Sequence, residues 1–320
     1  MIEKKISSYF LNWRYVIGFA IGIFFLVLSF YNLDYNQIKN NIFEINYLYL
    51  FISTVFLVLT VYFRALRWKL LLKENIASKI LFEFQFISYF GNNIFPLKFG
   101  EIIKTFLLSK NSNLSKSFIF GTVILEKFLD CIGMLMIAFI IFYYNLHDIE
   151  NFKLLILIIF LLSIFGIIIS YFYKKSKNHY SNYFINIINQ VIEGFSAINK
   201  SNILLSLLYT FLIWIIYIGV ISLVFTSMNQ PLSFEQSVVI LFLTTIPFLI
   251  PSTPANIGVF ELIVKSALIS VLGLSPERAV VLAVILHLST FAPYTIIGGY
   301  YFIKNYLFND LIIKNDNLES

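Results

Sequence analysis

The sequence predicts an all-α polytopic membrane protein, with about six full transmembrane helices and two re-entrant broken-helix hairpins in inverted repeats. Three observations lead there. First, 59% of the 320 residues are hydrophobic and 12% are charged, with a mean hydropathy of +0.84. A soluble domain carries about 25% charged residues. Second, the cations lie between apolar runs. All Lys and Arg except Lys39, Lys127, Lys153, Lys265 and Arg278 fall in the stretches 1–14, 64–79, 98–116, 174–200 and 304–320. Assigning these stretches to the cytoplasm puts both termini inside. Third, two apolar regions are interrupted by one plan: Pro, then Gly, then Glu opening a new run. The first runs from Gly91 to Lys104 and contains Pro96, Lys98, Gly100 and Glu101. The second runs from Pro251 to Glu261 and contains Pro254 and Gly258.

In chain order, Tyr15 to Phe30 reads as a first span. No small-residue cleavage site follows it and further spans do, so it is not taken as a signal peptide. Gly18 and Gly22 on it make a GxxxG spacing, either a close-packing face or chance in a glycine-tolerant span. Residues 31–46 are polar. The second span, Tyr47 to Phe63, ends in Arg64, Arg67, Trp68 and Lys69, and basic residues beside Trp mark a cytoplasmic interface. Leu81 to Phe90 and Gly100 to Ser109 are each about half of the ~20 residues that a crossing needs. Two half-helices around a Gly/Pro break fit a re-entrant hairpin entering from the cytoplasm. Non-helical backbone at membrane depth is tolerated only where protein or a water-filled cavity satisfies it.

The third span is Phe118 to Tyr144. On it, Glu126 lies roughly 12 Å past Phe118 at ~1.5 Å per residue, near the middle of a ~30 Å hydrocarbon core. The fourth span is Leu154 to Tyr173. Phe184, Ile187, Ile188, Val191, Phe195 and Ile198 recur at helical spacing in 180–199, which predicts an amphipathic helix. It either lies in the interface or caps the bundle. The fifth span is Ile203 to Phe225. Residues 235–272 form the second broken segment, entering from outside, and Ala279 to Phe302 is the last span, with Pro293 as a kink. Residues 47–144 and 203–303 then form two copies in opposite orientation within one transmembrane domain. Paired broken helices in inverted repeats point to a transport site near the bilayer midplane.

Four groups of residues carry candidate chemistry. A half-helix restarting at Gly100 or Gly258 presents N–H groups and a positive dipole end, which suits an anionic group such as phosphate. Lys98 and Lys104 add positive charge at the first break. Glu101 and Glu261 stand in the first helical turn, where a carboxylate is favourable as a plain cap as well as in a site. Glu126, Lys127 and Asp130 lie within an apolar span. Each such charge costs about 2.5–3.5 kcal/mol at the bilayer centre, so the three should face inward and pair. They read as a functional cluster or as an ion-pair knot with Arg64 or Arg67. His287 reads as a proton relay or as a packing residue. The lone Cys131 leaves no internal disulfide. No metal-ligand spacing, nucleotide fingerprint, Walker motif or nucleophile elbow is present, so neither an enzyme nor a cofactor or metal is expected. The net charge of +6 sits between spans and does not indicate nucleic acid.

Four motifs in order carry a family resemblance. They are Arg64-Ala-Leu-Arg67-Trp68-Lys-Leu-Leu-Leu72, Asn93-x-x-Pro96-x-Lys98-x-Gly100-Glu101-x-x-Lys104, Glu126-Lys127-x-x-Asp130, and Pro254-x-x-x-Gly258-x-x-Glu261. Together they resemble the lysylphosphatidylglycerol synthase transmembrane region family over about residues 10–305. The resemblance implies a flippase-like bundle that moves lipid head groups between leaflets. The soluble aminoacyltransferase domain of the full synthases has no room here, so aminoacyl transfer is not expected. Lys98, Lys104 and Lys127 stand where that family more often has Arg, which keeps the charge and loses the bidentate fork. Ala255-Asn256 replaces glycines and Phe260 replaces a frequent Arg, and these departures bear on head-group specificity. The expected partners are membrane lipids and an anionic phospholipid or a polyprenyl or glycolipid head group. An oligomer is compatible with the sequence. Alternatives are a secondary transporter of a small polar solute and, ranked last, an enzyme acting on a polyprenyl phosphate.

Overall fold

The structure is a computed structural model that describes residues 13–95, 99–143, 183–249 and 253–305. Every regular element among these residues is helical. Helix α1 is Trp13–Phe30 and α2 is Tyr35–Phe43. The short α2 was not expected in the polar stretch. Asp34 starts it, its side chain accepting the Asn36 N–H, and Ile38 is buried where the helix packs against Pro276–Ile303. Helix α3 is Tyr47–Leu71, α4 Ser78–Ile94, α5 Gly100–Lys110 and α6 Lys116–Tyr143. Helix α7 is Tyr183–Phe195, α8 Lys200–Thr226, α9 Phe234–Thr245, α10 Val259–Leu272 and α11 Pro276–Ile303. Two 3-10 turns, Ile246–Leu249 and Pro254–Asn256, lie between α9 and α10.

Helices α3, α8 and α11 are long and apolar enough to cross a membrane. Three of the six expected spans are not among these. The first, on α1, is apolar over Ala20–Phe30 among the described residues, shorter than a crossing needs. Helix α6 has the length, but Glu126, Lys127 and Asp130 lie on it. The expected span Leu154 to Tyr173 lies outside the described residues. Helix α11 runs on as one helix through Pro293.

Both interruptions are present. Helix α4 ends at Ile94 and α5 begins at Gly100; α9 ends at Thr245 and α10 begins at Val259. Helix α4 is longer than the expected half-helix. At ~1.5 Å per residue its 17 residues reach about 25 Å. Gly91, Asn92 and Asn93 continue the helix, because both Asn side chains find partners outside it. Asn92 Oδ1 accepts the Gly100 N–H at 3.0 Å, and Asn93 Nδ2 donates to Thr295 Oγ1 at 2.9 Å.

The chain divides into two compact units. One takes Met1–Val58, Tyr89–Gly100 and Tyr217–Ser320; the other takes Leu59–Ser88 and Glu101–Ile216. In the second, α6 and α7 cross with their backbones touching. A Cβ on Gly121 would lie 1.9 Å from Val191 O, and one on Gly194 would lie 1.9 Å from Phe118 O. Only glycine allows this approach. In the first unit, α1 lies against the second break. A Cβ on Gly258 would fall 2.1 Å from Gly22 O. The GxxxG spacing is therefore a packing face at Gly22; the side-chain surroundings of Gly18 are outside the described residues.

Candidate functional site

The second unit holds a continuous network of buried charge, supplied by α3, α4, α5, α6 and α8. Arg64 and Arg67 are three residues apart on α3, so both reach one side of the helix. Arg64 Nη1 donates to Asp130 Oδ2 at 2.7 Å and Arg67 Nη2 to Asp130 Oδ1 at 2.8 Å. Arg67 Nη1 also donates to Thr210 Oγ1 at 3.0 Å. One turn before Asp130 on α6, Glu126 accepts from Gln85 Nε2 at 2.8 Å and from Lys104 Nζ at 2.7 Å. The Lys104 ammonium further meets Glu101 Oε2 at 3.2 Å and Gln85 Oε1 at 3.3 Å. Its three N–H donors therefore have three acceptors. It lies 4.7 Å over the Trp68 ring, whose Nε1–H donates to Thr122 Oγ1 at 3.0 Å.

Burial changes two readings. Arg67 and Trp68 are 0% exposed and Arg64 is 8% exposed. These three do not form an interface belt: the last two turns of α3 face inward and supply the countercharge to Asp130. That is the ion-pair knot weighed as an alternative. Lys104 is 2% exposed and saturated, so it holds the carboxylates of Glu101 and Glu126 instead of waiting for a phosphate. Breaking a buried pair is expensive, because the remaining partner is left uncompensated.

Lys127 differs. Its Nζ reaches Glu101 Oε1 at 2.6 Å, yet its side chain is 55% exposed. The cluster thus runs from sealed pairs at Arg67 and Lys104 to an ion pair that is open on one side. Gln85 was missed from sequence. Its signal was a lone amide amid the apolar Leu81 to Phe90.

The first unit holds the second break. His287, on α11, is 5% exposed and stacks on Phe260 with ring centroids 4.5 Å apart. Its Nδ1 lies 2.6 Å from Glu261 Oε1 and its Nε2 lies 3.0 Å from the Ala255 carbonyl oxygen. Glu261 Oε2 accepts the Gly258 N–H at 2.6 Å. The segment is wound into left-handed backbone: Ala255 has φ 53°, Asn256 φ 59° and Gly258 φ 85°. Pro254 opens the 3-10 turn before it. The N–H groups of Gly100 and Gly258 are thus occupied, by Asn92 and Glu261, and the helix starts are capped from within the chain.

The first break is tied to the same helix. Besides Thr295 Oγ1, Asn93 Nδ2 donates to Phe291 O at 3.4 Å. Tyr89 stacks on Tyr294 with centroids 4.1 Å apart and an interplanar angle of 7°, and Tyr294 OH lies 3.2 Å from Tyr217 OH. Pro96 and Lys98 lie outside the described residues. Among the described residues, no group of three or more His, Cys, Asp or Glu could hold a metal ion.

Apolar helices long enough to cross a membrane, two interrupted segments and charges buried among helices fit an α-helical membrane protein. The chain belongs to the lysylphosphatidylglycerol synthase TM region family, whose model matches residues 15–298. It is similar to a UPF0104 membrane protein of Pyrococcus horikoshii, 26% identical over 276 residues, covering 75% of this chain and 82% of that protein. It is also similar to a UPF0104 membrane protein of Methanocaldococcus jannaschii, 29% identical over 182 residues, covering 54% of this chain and 76% of that one. No solved structure matches.

Proposed function

We propose that this protein is a flippase-like transporter, which moves an anionic phospholipid or lipid-linked head group across the cytoplasmic membrane. The observation that carries the reading is Lys127. A 28-residue apolar helix presents a cation that is more than half exposed, eleven residues from its start. At ~1.5 Å per residue that is about 17 Å along the helix. An ammonium at such a depth is costly against acyl chains, and it is at home against water or a phosphate. Glu101 holds it in place, and the sealed Arg64–Asp130–Arg67 and Lys104–Glu126 pairs fix the helices that carry both.

Head-group binding would exchange part of the Glu101 contact for a phosphate oxygen. Lys104, Glu126 and Asp130 act in this reading as positioning residues. The two breaks act as re-entrant hairpins of the inverted repeats, and Gly100, Pro254, Gly258 and Glu261 shape their turns. Family membership supports the reading, since the family is named for the membrane region of a lipid-modifying synthase.

The test is leaflet exchange of a labelled anionic phospholipid in liposomes containing the purified chain. Lys127→Met should remain monodisperse, because one half-exposed ion pair contributes little to stability. It should lose exchange by about tenfold or more, a change of ~1.4 kcal/mol or more in barrier. Unchanged exchange in a well-folded Lys127→Met protein removes this site. Exchange by no form of the protein, together with uptake of a soluble anion, favours the solute carrier.

A further inference from the structure

We propose that Glu261 and His287 form a binding site for one proton that latches the second break. The argument is a count of donors. His287 lies between two oxygens, Ala255 O at Nε2 and Glu261 Oε1 at Nδ1. A carbonyl oxygen can only accept, so Nε2 carries a proton. The contact at Nδ1 then needs a second proton, sited either on Nδ1 or on Glu261. Both placements give the same geometry, and the pair as a whole is neutral in each.

Removing that one proton to water leaves a carboxylate and an imidazole with a single N–H. If the N–H stays at Nε2, the Nδ1 lone pair faces a carboxylate oxygen at 2.6 Å. If it moves to Nδ1, the Nε2 lone pair faces the Ala255 carbonyl at 3.0 Å. One of the two contacts is lost either way. What they hold is a strained segment: two consecutive non-glycine residues in left-handed backbone, Ala255 and Asn256, with Gly258 also at positive φ beyond Ile257. Such conformations persist only where their surroundings over-determine them. The proton therefore decides whether the turn before α10 stays wound.

Neither member of the pair makes a hydrogen bond or ion pair with any other charged side chain. The elements packed on α10 are α1, α9, the 246–249 turn and α11, and α11 also packs on α2, whose ionisable groups are Tyr35 and Lys39. The described side chains of α1, residues 20–30, and the 246–249 turn have no ionisable group. Helix α9 has Glu235 alone, in its first turn. On α10, Lys265 is one turn beyond Glu261 and donates to Ser29 O at 2.7 Å. On α11, Glu277 and Arg278 stand at the start of the helix and Tyr294 is two turns past His287. No third charged group contacts the pair to supply or take the proton, so solvent is its proposed source and sink. In a transporter of the kind proposed above this proton is the coupling ion, but the latch does not depend on that reading.

The test uses the full chain in lipid nanodiscs. Isotope-labelled histidine is followed by NMR as pH rises, with His147→Gln and His179→Gln assigning the remaining signal to His287. Amide hydrogen exchange at residues 253–258 is measured in parallel for wild type and Glu261→Gln at matched pH. The Gln amide donates to Nδ1 and its oxygen accepts from Gly258, so it reproduces the loaded pair. We expect one proton to leave the pair in a single step, with the wild-type-to-variant exchange ratio rising several-fold at that step. A ratio that stays flat through the His287 titration, or a His287 signal that never changes, overturns the latch. The wild-type titration stands alone should the variant fold poorly. No lipid cargo enters either readout, so absent leaflet exchange would sink the transport reading and leave this site standing.

Discussion

Asp130 and Lys127 are three residues apart on one helix and differ in exposure, 15% against 55% of the side chain. Asp130 joins two guanidinium groups, one of them fully buried. Replacing it with Asn strands both cations, and breaking a buried ionic pair costs about 3–5 kcal/mol. Asp130→Asn should therefore lower thermal stability sharply in detergent, measured by loss of monodisperse protein on heating. Lys127→Met should leave the same curve nearly in place. Equal curves for Asp130→Asn and wild type would show that the knot is not structural. The three charges of α6 were legible as a cluster, since apolar spans rarely carry any. Their partners were less so. Arg64 and Arg67 read first as an interface belt, and only burial shows that they turn inward. Gln85 and Thr210 stand dozens of residues from Glu126 and Arg67, and no local spacing announces such pairs.

At the scale of elements, glycines decide which helices meet. Gly121→Ala or Gly194→Ala puts a methyl within 1.9 Å of a backbone oxygen, so α7 must move off α6. Hydrogen exchange across 183–195 should then rise; unchanged protection would contradict the crossing. Gly258 and Gly273 make a sharper comparison. Both have positive φ, at 85° and 63°. A Cβ at Gly273 meets nothing within 4 Å, whereas one at Gly258 meets Gly22 O at 2.1 Å. Gly273→Ala should cost about 1–2 kcal/mol, the left-handed backbone penalty alone. Gly258→Ala should cost clearly more, read as a lower melting temperature than Gly273→Ala; the reverse order would contradict the packing of α1. The two breaks were legible because Pro and Gly interrupt apolar runs. The length of α4 was not, because Asn92 and Asn93 look like helix breakers until their tertiary partners are known. Residues 180–199 showed a helix by periodicity, and its docking on α6 rests on Gly121 and Gly194, which carry no hydrophobic signal.

For the whole molecule, composition alone indicated a membrane protein, and motif order indicated its family. The number of crossings and their orientation rest on charge placement. Single cysteines at Lys39 and at Lys79, in a Cys131→Ser background, should be labelled by an impermeant reagent from opposite sides of the membrane. Labelling of both from the same side would contradict a crossing by α3. Helix α11 binds both interruptions, the second through His287 and the first through Phe291 and Thr295. At ~1.5 Å per residue, His287 and Thr295 are about 12 Å apart along it. That makes it the element through which movement at one break would reach the other. None of this names a cargo, and the exposed Lys127 is the group that should touch it. The direct measurement is mass spectrometry of lipids retained by the purified chain, wild type against Lys127→Met. An anionic phospholipid or polyprenyl phosphate in stoichiometric amount, held by wild type and lost from Lys127→Met, is the expected result. Equal retention by both proteins, or a bound water-soluble metabolite in place of lipid, would contradict it.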